Sequence, residues 1–261
     1  MRIGCCAGPD ELGVLEACEG LDYIELPVAK SLIGSESEFE SLAGRLRQSR
    51  LGASAVNVFL PATLKVVGPD AKPGQLAEYA ARTLARASSL GVSLLVFGSG
   101  AARSVPEGFS RAKALDQFEV AVRVAQAEAS KQGVTVALEP LHSEETNLLN
   151  TVGEAAAYLQ DRRLDGVRVV ADLWHMECEN ETLDALDDLA EQVAHAHVAA
   201  AERRPPGQAP DHIESFLWRL RQSGFEGACS IECNWTDLTL ELPGAVARVR
   251  QAAAAAGWAV G

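Results

Sequence analysis

Short apolar runs alternate with longer amphipathic stretches along the whole chain. RIGCC (2–6), YIELPVA (23–29), SAVNVFL (54–60), SLLVFGSG (93–100), TVALEP (135–140), VRVVADLW (167–174), VAHAHVAA (193–200) and ACSIECN (228–234) have the length and apolar density of buried strands. Between them lie stretches whose apolar residues recur every three or four positions: ELGVLEACEG, EFESLAGRLRQS, QLAEYAARTLARASSLG, KALDQFEVAVRVAQAEASKQG, VGEAAAYLQDR, LDALDDLAEQ, HIESFLWRLRQSG and AVARVRQAAAAAG. That period predicts helices, with stops at Gly91, Gly133 and Gly224.

Eight strand-then-helix units fill 261 residues with no linker left over. The count predicts a single-domain α/β protein over residues 1–261, a closed (β/α)₈ TIM barrel. An open doubly wound sheet is the competing architecture. It usually carries a GxGxxG turn after its first strand, which CCAGPDELG lacks. The tract QAAAAAG near the end reflects helix propensity rather than a linker.

In such a barrel the C-terminal strand ends and the loops after them form the functional face, and the unusual residues fall there. Glu139 ends the fifth apolar run between Leu138 and Pro140, Asp172 follows the sixth, His195 and His197 lie in the seventh, and Glu232 lies in the eighth. A carboxylate delivered by a buried strand needs a partner. The alternation of side chains turns these residues toward the barrel axis, with His197 nearer the mouth and His195 one layer deeper as a hydrogen-bonded core histidine. Two glutamates, one aspartate and one imidazole at four strand ends make an oxygen-rich set suited to one divalent metal ion. Mn²⁺ or Mg²⁺ fits best, and Co²⁺ or Zn²⁺ is compatible. No histidine precedes His142, and His142, His175, His195 and His197 all fall at the ends of units five to seven.

The formal charge of −13 repels polyphosphate, so nucleic acid is excluded as a partner. MRIGCCAGPDELG has no extended apolar segment, and no run approaches the length of a membrane span, which predicts a cytoplasmic protein without membrane contact. The six cysteines, Cys5, Cys6, Cys18, Cys178, Cys229 and Cys233, lack CxxC spacing and read as reduced, small core residues. FGSGAARSVPEG after the fourth run, with Gly98, Gly100 and Arg103, reads as a bare turn.

LEPLHSEETN, DLWHM, HAHVA followed by RRPPG, and SIE together resemble the sugar isomerase and epimerase branch of the xylose-isomerase-like barrels, which includes ketose 3-epimerases and hydroxypyruvate isomerases. The resemblance extends through all eight units; its specific part runs from 139 to 235. It implies that Glu139, Asp172, His197 and Glu232 bind the metal, and that Glu139 and Glu232 serve in turn as base and acid on a carbon beside a carbonyl. It further implies that His175 and Arg203 hold substrate oxygens and that Glu145 orients them or tunes Glu139. Trp174 and Trp235, which flank ligand positions, offer apolar walls for a sugar face. The implied substrate is a small sugar or keto acid, and barrels of this kind often pair as homo-oligomers.

Three departures leave the sugar's identity open. His142 stands where an asparagine is often found, alanines fill 199 to 201 where an acidic residue is expected, and CCAG replaces an aromatic residue on the first strand. The same metal set also suits a dehydratase or lyase of a keto-sugar or keto-inositol, and a non-catalytic, metal-stabilised sugar-binding barrel. A DNA-repair endonuclease of the same superfamily is disfavoured, because its zinc cluster needs histidines from earlier strands and the surface is acidic.

Overall fold

The computed structural model describes residues 1–189 and 191–259. Eight parallel strands close in sequence order into a barrel: β1 (Ile3–Cys6), β2 (Tyr23–Pro27), β3 (Gly52–Asn57), β4 (Leu94–Phe97), β5 (Thr135–Leu138), β6 (Arg168–Asp172), β7 (Val193–Val198) and β8 (Ala228–Ile231). Helices return the chain along the outside, as the eight-unit reading requires. A typical one, Pro73–Ser89, buries Leu76, Ala80, Thr83, Leu84 and Ala87 on one face. It ends where Gly91 adopts φ +86° and the Val92 N–H reaches back to the Ala87 carbonyl, a left-handed turn that glycine makes without steric cost.

Three expectations change. The sixth run stops at Asp172 instead of extending to Trp174, because the Asp172 carboxylate accepts from the His175 N–H and caps a short helix, Leu173–Cys178. The helix expected over 183–192 is a 3₁₀ turn, Leu183–Leu186. Leucines at 183, 186 and 189 repeat every third residue, which suits three residues per turn better than 3.6. Residue 190 of that stretch lies outside the described residues. The last helix is also longer than its Ala-rich half, running from an Asp237 cap over Leu238–Ala255.

Side-chain parity divides the barrel wall into two environments. Ile3, Cys5, Ile24, Leu26, Val56, Leu95, Phe97, Val136, Leu138, Val169, Ala196, Cys229 and Ile231 join the main core. On the opposite parity, Val96, Ala137 and Val170 form a second small apolar cluster. The same parity also carries polar residues that are almost fully buried: Glu25, Asn57, Asp172, His195, His197 and Ser230. Tyr23 fills the space beside β1, where a side chain on Gly4 would overlap its ring. Two register shifts sit next to this polar half, one between Ile24 and Glu25 on β2 and one between Val169 and Val170, opposite the start of His195 on β7. Such irregularities re-aim the side chains beside them. No helix among the described residues is long and apolar enough to cross a membrane.

Candidate active site

The four strand-end residues predicted as ligands meet at the C-terminal mouth. His197 Nδ1 lies 2.9 Å from Glu139 Oε1, 3.5 Å from Glu232 Oε2 and 3.6 Å from Asp172 Oδ2. Each carboxylate is fixed by its own local structure. The Glu139 N–H donates to the Phe97 carbonyl at the end of β4, the Glu232 N–H donates to the Val198 carbonyl at the end of β7, and Asp172 is held by its capping bond. Gly98 is required here, since a side chain in its place would overlap Glu139 Oε2.

Three carboxylates around one imidazole nitrogen, Glu139 and Asp172 buried and Glu232 mostly so, demand positive charge. Burial pushes the Glu139 carboxyl up, against the pull of His197. Burial acts on Glu232 in the same direction, but His197 and Arg203 outweigh it and hold that group below the usual carboxylate range. Asp172 is likewise held low despite burial, by His175 and His197. Burial alone would push His197 down, yet Glu25 and Glu232 raise it well above the ordinary histidine range. An oxygen-rich donor set with a single imidazole at these spacings fits a divalent cation, which would replace the proton on His197 Nδ1.

Behind His197 lies a residue that the sequence reading missed. Glu25 is fully buried; its Oε1 is 3.0 Å from His197 Nε2, and its Oε2 is 2.8 Å from His195 Nε2 and 2.6 Å from Ser230 Oγ, which also meets Tyr23 Oη at 2.8 Å. Burial would raise this carboxyl, but the two imidazoles hold it well below its usual range. His195 is thus the hydrogen-bonded core histidine expected, and burial pushes it down. The available signal for Glu25 was parity: it shares the inward face of YIELP with Tyr23. Asn57, also missed, donates from Nδ2 to Glu232 Oε1 at 2.8 Å.

The outer predicted residues form one connected wall. Arg203 donates from Nη2 to Glu232 Oε2 at 2.7 Å and from Nη1 to Glu145 Oε1 at 2.9 Å, with its guanidinium 4.7 Å from the Trp174 ring centre. Glu202 and Arg203 both take positive φ, 60° and 56°, a costly pair of conformations for residues other than glycine that turns Arg203 back over the mouth. Trp174 also packs 4.6 Å from the His142 ring and 4.9 Å from the His175 ring. A ring nitrogen of His175 comes within 4.8 Å of oxygens of Glu139, Asp172 and Glu232. Trp235 instead packs against the main core and makes no ring contact with this wall among the described residues. Arg103, expected in a bare turn, belongs to the short helix Gly100–Arg103. Its fully buried guanidinium donates to the Glu139 carbonyl at 2.8 Å and lies over Phe118, and burial lowers it to about 10.

A closed parallel barrel with its buried acids and histidines gathered at the C-terminal mouth is a (β/α)₈ protein of the kind that carries its chemistry on the loops after the strands. The chain belongs to the xylose isomerase-like TIM barrel family, whose model matches residues 15–259. It is 30% identical over 107 residues to a 3-dehydro-D-guloside 4-epimerase of Escherichia coli, a match that covers 41% of this chain and only 41% of that relative's length. Against an L-ribulose 3-epimerase of Mesorhizobium japonicum it is 27% identical over 221 residues, 82% of this chain and 71% of that one. The crystal structure of a D-psicose 3-epimerase from Clostridium cellulolyticum shares the fold, with a TM-score of 0.84 at 18% identity over 97% of this chain and 99% of the other.

Proposed function

We propose that this protein is a metal-dependent epimerase or isomerase of a small ketose or related hydroxy-keto compound. The observation that carries the reading is the meeting of Glu139 and Glu232, from β5 and β8, at the same nitrogen of His197 at the barrel mouth. Glu139, Asp172, His197 and Glu232 would hold the ion, with Mn²⁺ favoured. When bound, it would supply Lewis-acid polarisation of the substrate carbonyl and its neighbouring hydroxyl.

Glu139 and Glu232 then act as a base and acid pair. One removes the proton from the carbon beside the carbonyl, leaving the electron pair delocalised onto the carbonyl oxygen. The other returns a proton, to the opposite face of the same carbon for epimerisation, or to the former carbonyl carbon for isomerisation, in which case the hydroxyl proton passes from the neighbouring oxygen to the former carbonyl oxygen. Arg203, freed from part of its pairing with Glu232, donates to a substrate oxygen. His175 offers a second donor, Glu145 keeps Arg203 oriented, and Trp174 gives the sugar an apolar face. Sugar epimerases among the relatives support this reading over elimination of water.

The test is proton exchange. Mn²⁺-loaded protein incubated in D₂O with L-ribulose, D-psicose or D-tagatose should place deuterium on a carbon beside the carbonyl and yield the epimer or isomer by NMR. Loss of water from the sugar would reassign the protein to the dehydratases, and a silent panel with tight sugar binding would reassign it to the binding proteins.

A further inference from the structure

The His142 and His175 rings lie 5.0 Å apart and nearly parallel, at 26°. Two polar contacts converge on one atom between them. His175 Nδ1 lies 3.2 Å from the His142 backbone nitrogen and 2.9 Å from His142 Nδ1. The backbone N–H has only a proton to offer, so His175 Nδ1 must present its lone pair. A proton on that atom would face the amide proton head-on. His142 Nδ1 must therefore be the donor in the ring-to-ring bond, whatever the state of its own Nε2. With its Nδ1 accepting two hydrogen bonds, neutral His175 carries its proton on Nε2. That nitrogen is buried and without a hydrogen-bond partner among the described residues. Both rings are almost fully buried, so the arrangement is sheltered from competition by water.

Resting on the epimerase reading, we propose that His142 is a positioning residue that locks His175 in the Nε2–H tautomer, making His175 a hydrogen-bond donor to a substrate oxygen and keeping it out of the metal's ligand set. The distinction matters because a ring nitrogen of His175 lies close enough to Glu139, Asp172 and Glu232 to compete with His197 for a cation. A protonated Nε2 cannot ligate; it can donate. A carbonyl or hydroxyl oxygen of a polyhydroxy ketone is the partner this unpaired donor suits, and such an oxygen would satisfy an atom that is otherwise costly to bury.

Tautomers are read directly by long-range ¹H–¹⁵N correlation on histidine-labelled, metal-free protein at about pH 8, above the ordinary histidine range. His175 is assigned by loss of its signals in His175→Gln. The expected pattern is a single Nε2–H tautomer. An Nδ1–H form, or a mixture, in the wild type overturns the proposal whatever the His142 variants do. His142→Phe keeps a ring and the backbone N–H but removes the side-chain donor, one of the two bonds that hold the tautomer. Nε2–H should stay the main form, with a measurable Nδ1–H fraction appearing beside it, and KM for the best ketose should rise about three- to tenfold, with less change in kcat. His142→Asn places an amide N–H at the same branch of the side chain and should restore both readouts. Titration with Mn²⁺ should give one strong site in the wild type and in His142→Phe alike. A second strong site that disappears in His142→Phe would overturn the proposal by making the pair a metal site. Lack of proton exchange with every ketose sinks the epimerase reading, whereas the wrong tautomer sinks this one.

Discussion

Glu25 and His197 face each other across the barrel axis, with Glu25 Oε1 3.0 Å from His197 Nε2, although their strands, β2 and β7, are not neighbours in the sheet. The bond turns the Nδ1 edge of the ring toward Glu139, Asp172 and Glu232 and fixes which nitrogen is free to bind a cation. Removing the carboxylate leaves two buried imidazoles without their shared acceptor. Glu25→Ala should therefore lower the stability of the metal-free protein by about 3–5 kcal/mol, as expected for breaking a buried ion pair. It should also weaken Mn²⁺ binding about 10- to 100-fold, as expected for loss of a residue that orients a ligand. Urea denaturation and Mn²⁺ titration followed by electron paramagnetic resonance check the two effects. Unchanged metal affinity would mean that the ring is held by something other than Glu25.

The acid and base pair gives the second prediction. Glu139→Gln and Glu232→Gln keep the size of each side chain and remove its ability to carry a proton. Each should cut substrate proton exchange in D₂O by about 10²- to 10⁴-fold, the range for loss of a general acid or base. Exchange that survives in both single variants would remove the two glutamates from the chemistry while leaving their ligand role open to the Mn²⁺ titration.

Proton and metal compete for His197. Glu25 and Glu232 overcome burial and raise its proton affinity, so the metal-free ring is protonated near neutrality. A raised histidine stabilises the fold fully below its unfolded pKa of about 6.5, and this contribution is lost as pH rises through the higher folded value. A cation needs the deprotonated ring, so its uptake releases a proton and strengthens as pH rises. The increase in Tm produced by a fixed, saturating concentration of Mn²⁺ should accordingly widen between about pH 6 and pH 8. Calorimetric titration in buffers of different ionisation heat should show net proton release on binding. Uptake of protons, or a Tm increase that shrinks with pH, would exclude His197 as a ligand.

The eight strands and the four residues that meet at the mouth were legible because both signals are local. An apolar run marks a strand, and an acid or histidine at its end marks the functional face. Glu25 was hidden because its partners come from across the lumen, a relationship that exists only once β1 through β8 have closed. A lone glutamate between Ile24 and Leu26 gives no hint of His195 and His197. The helix Leu173–Cys178 was hidden for a different reason: a single cap by Asp172 outweighs the apolar continuity of VADLW. Arg103 read as part of a turn because a buried guanidinium bound to one carbonyl and laid over Phe118 leaves no sequence pattern. Trp174 and Trp235 both follow a ligand position closely in sequence, yet only the first is turned toward the histidines, by the short helix that carries it.

Gly98 separates the architecture of the site from the stability of the barrel. Its backbone is not in the left-handed region, so alanine is conformationally acceptable there, but the added methyl would overlap Glu139 Oε2 and approach its Cδ at 3.3 Å. The barrel need not move; the carboxylate must. Gly98→Ala should fold, cost about 1–3 kcal/mol as a local overpacking, and displace the one carboxylate that His197 Nδ1 meets at 2.9 Å. Gly13→Ala is the control, because nothing lies within 4 Å of its added methyl and the position is helical. That change should be neutral or stabilising by about 0.5–1 kcal/mol. With both variants measured by urea denaturation and Mn²⁺ titration, Gly98→Ala should lose metal affinity by about tenfold or more, as for a misplaced ligand, while Gly13→Ala keeps it. Native Mn²⁺ affinity in Gly98→Ala would show that Glu139 does not need its observed position to bind the ion, and the ligand set drawn around His197 would have to be rebuilt without it.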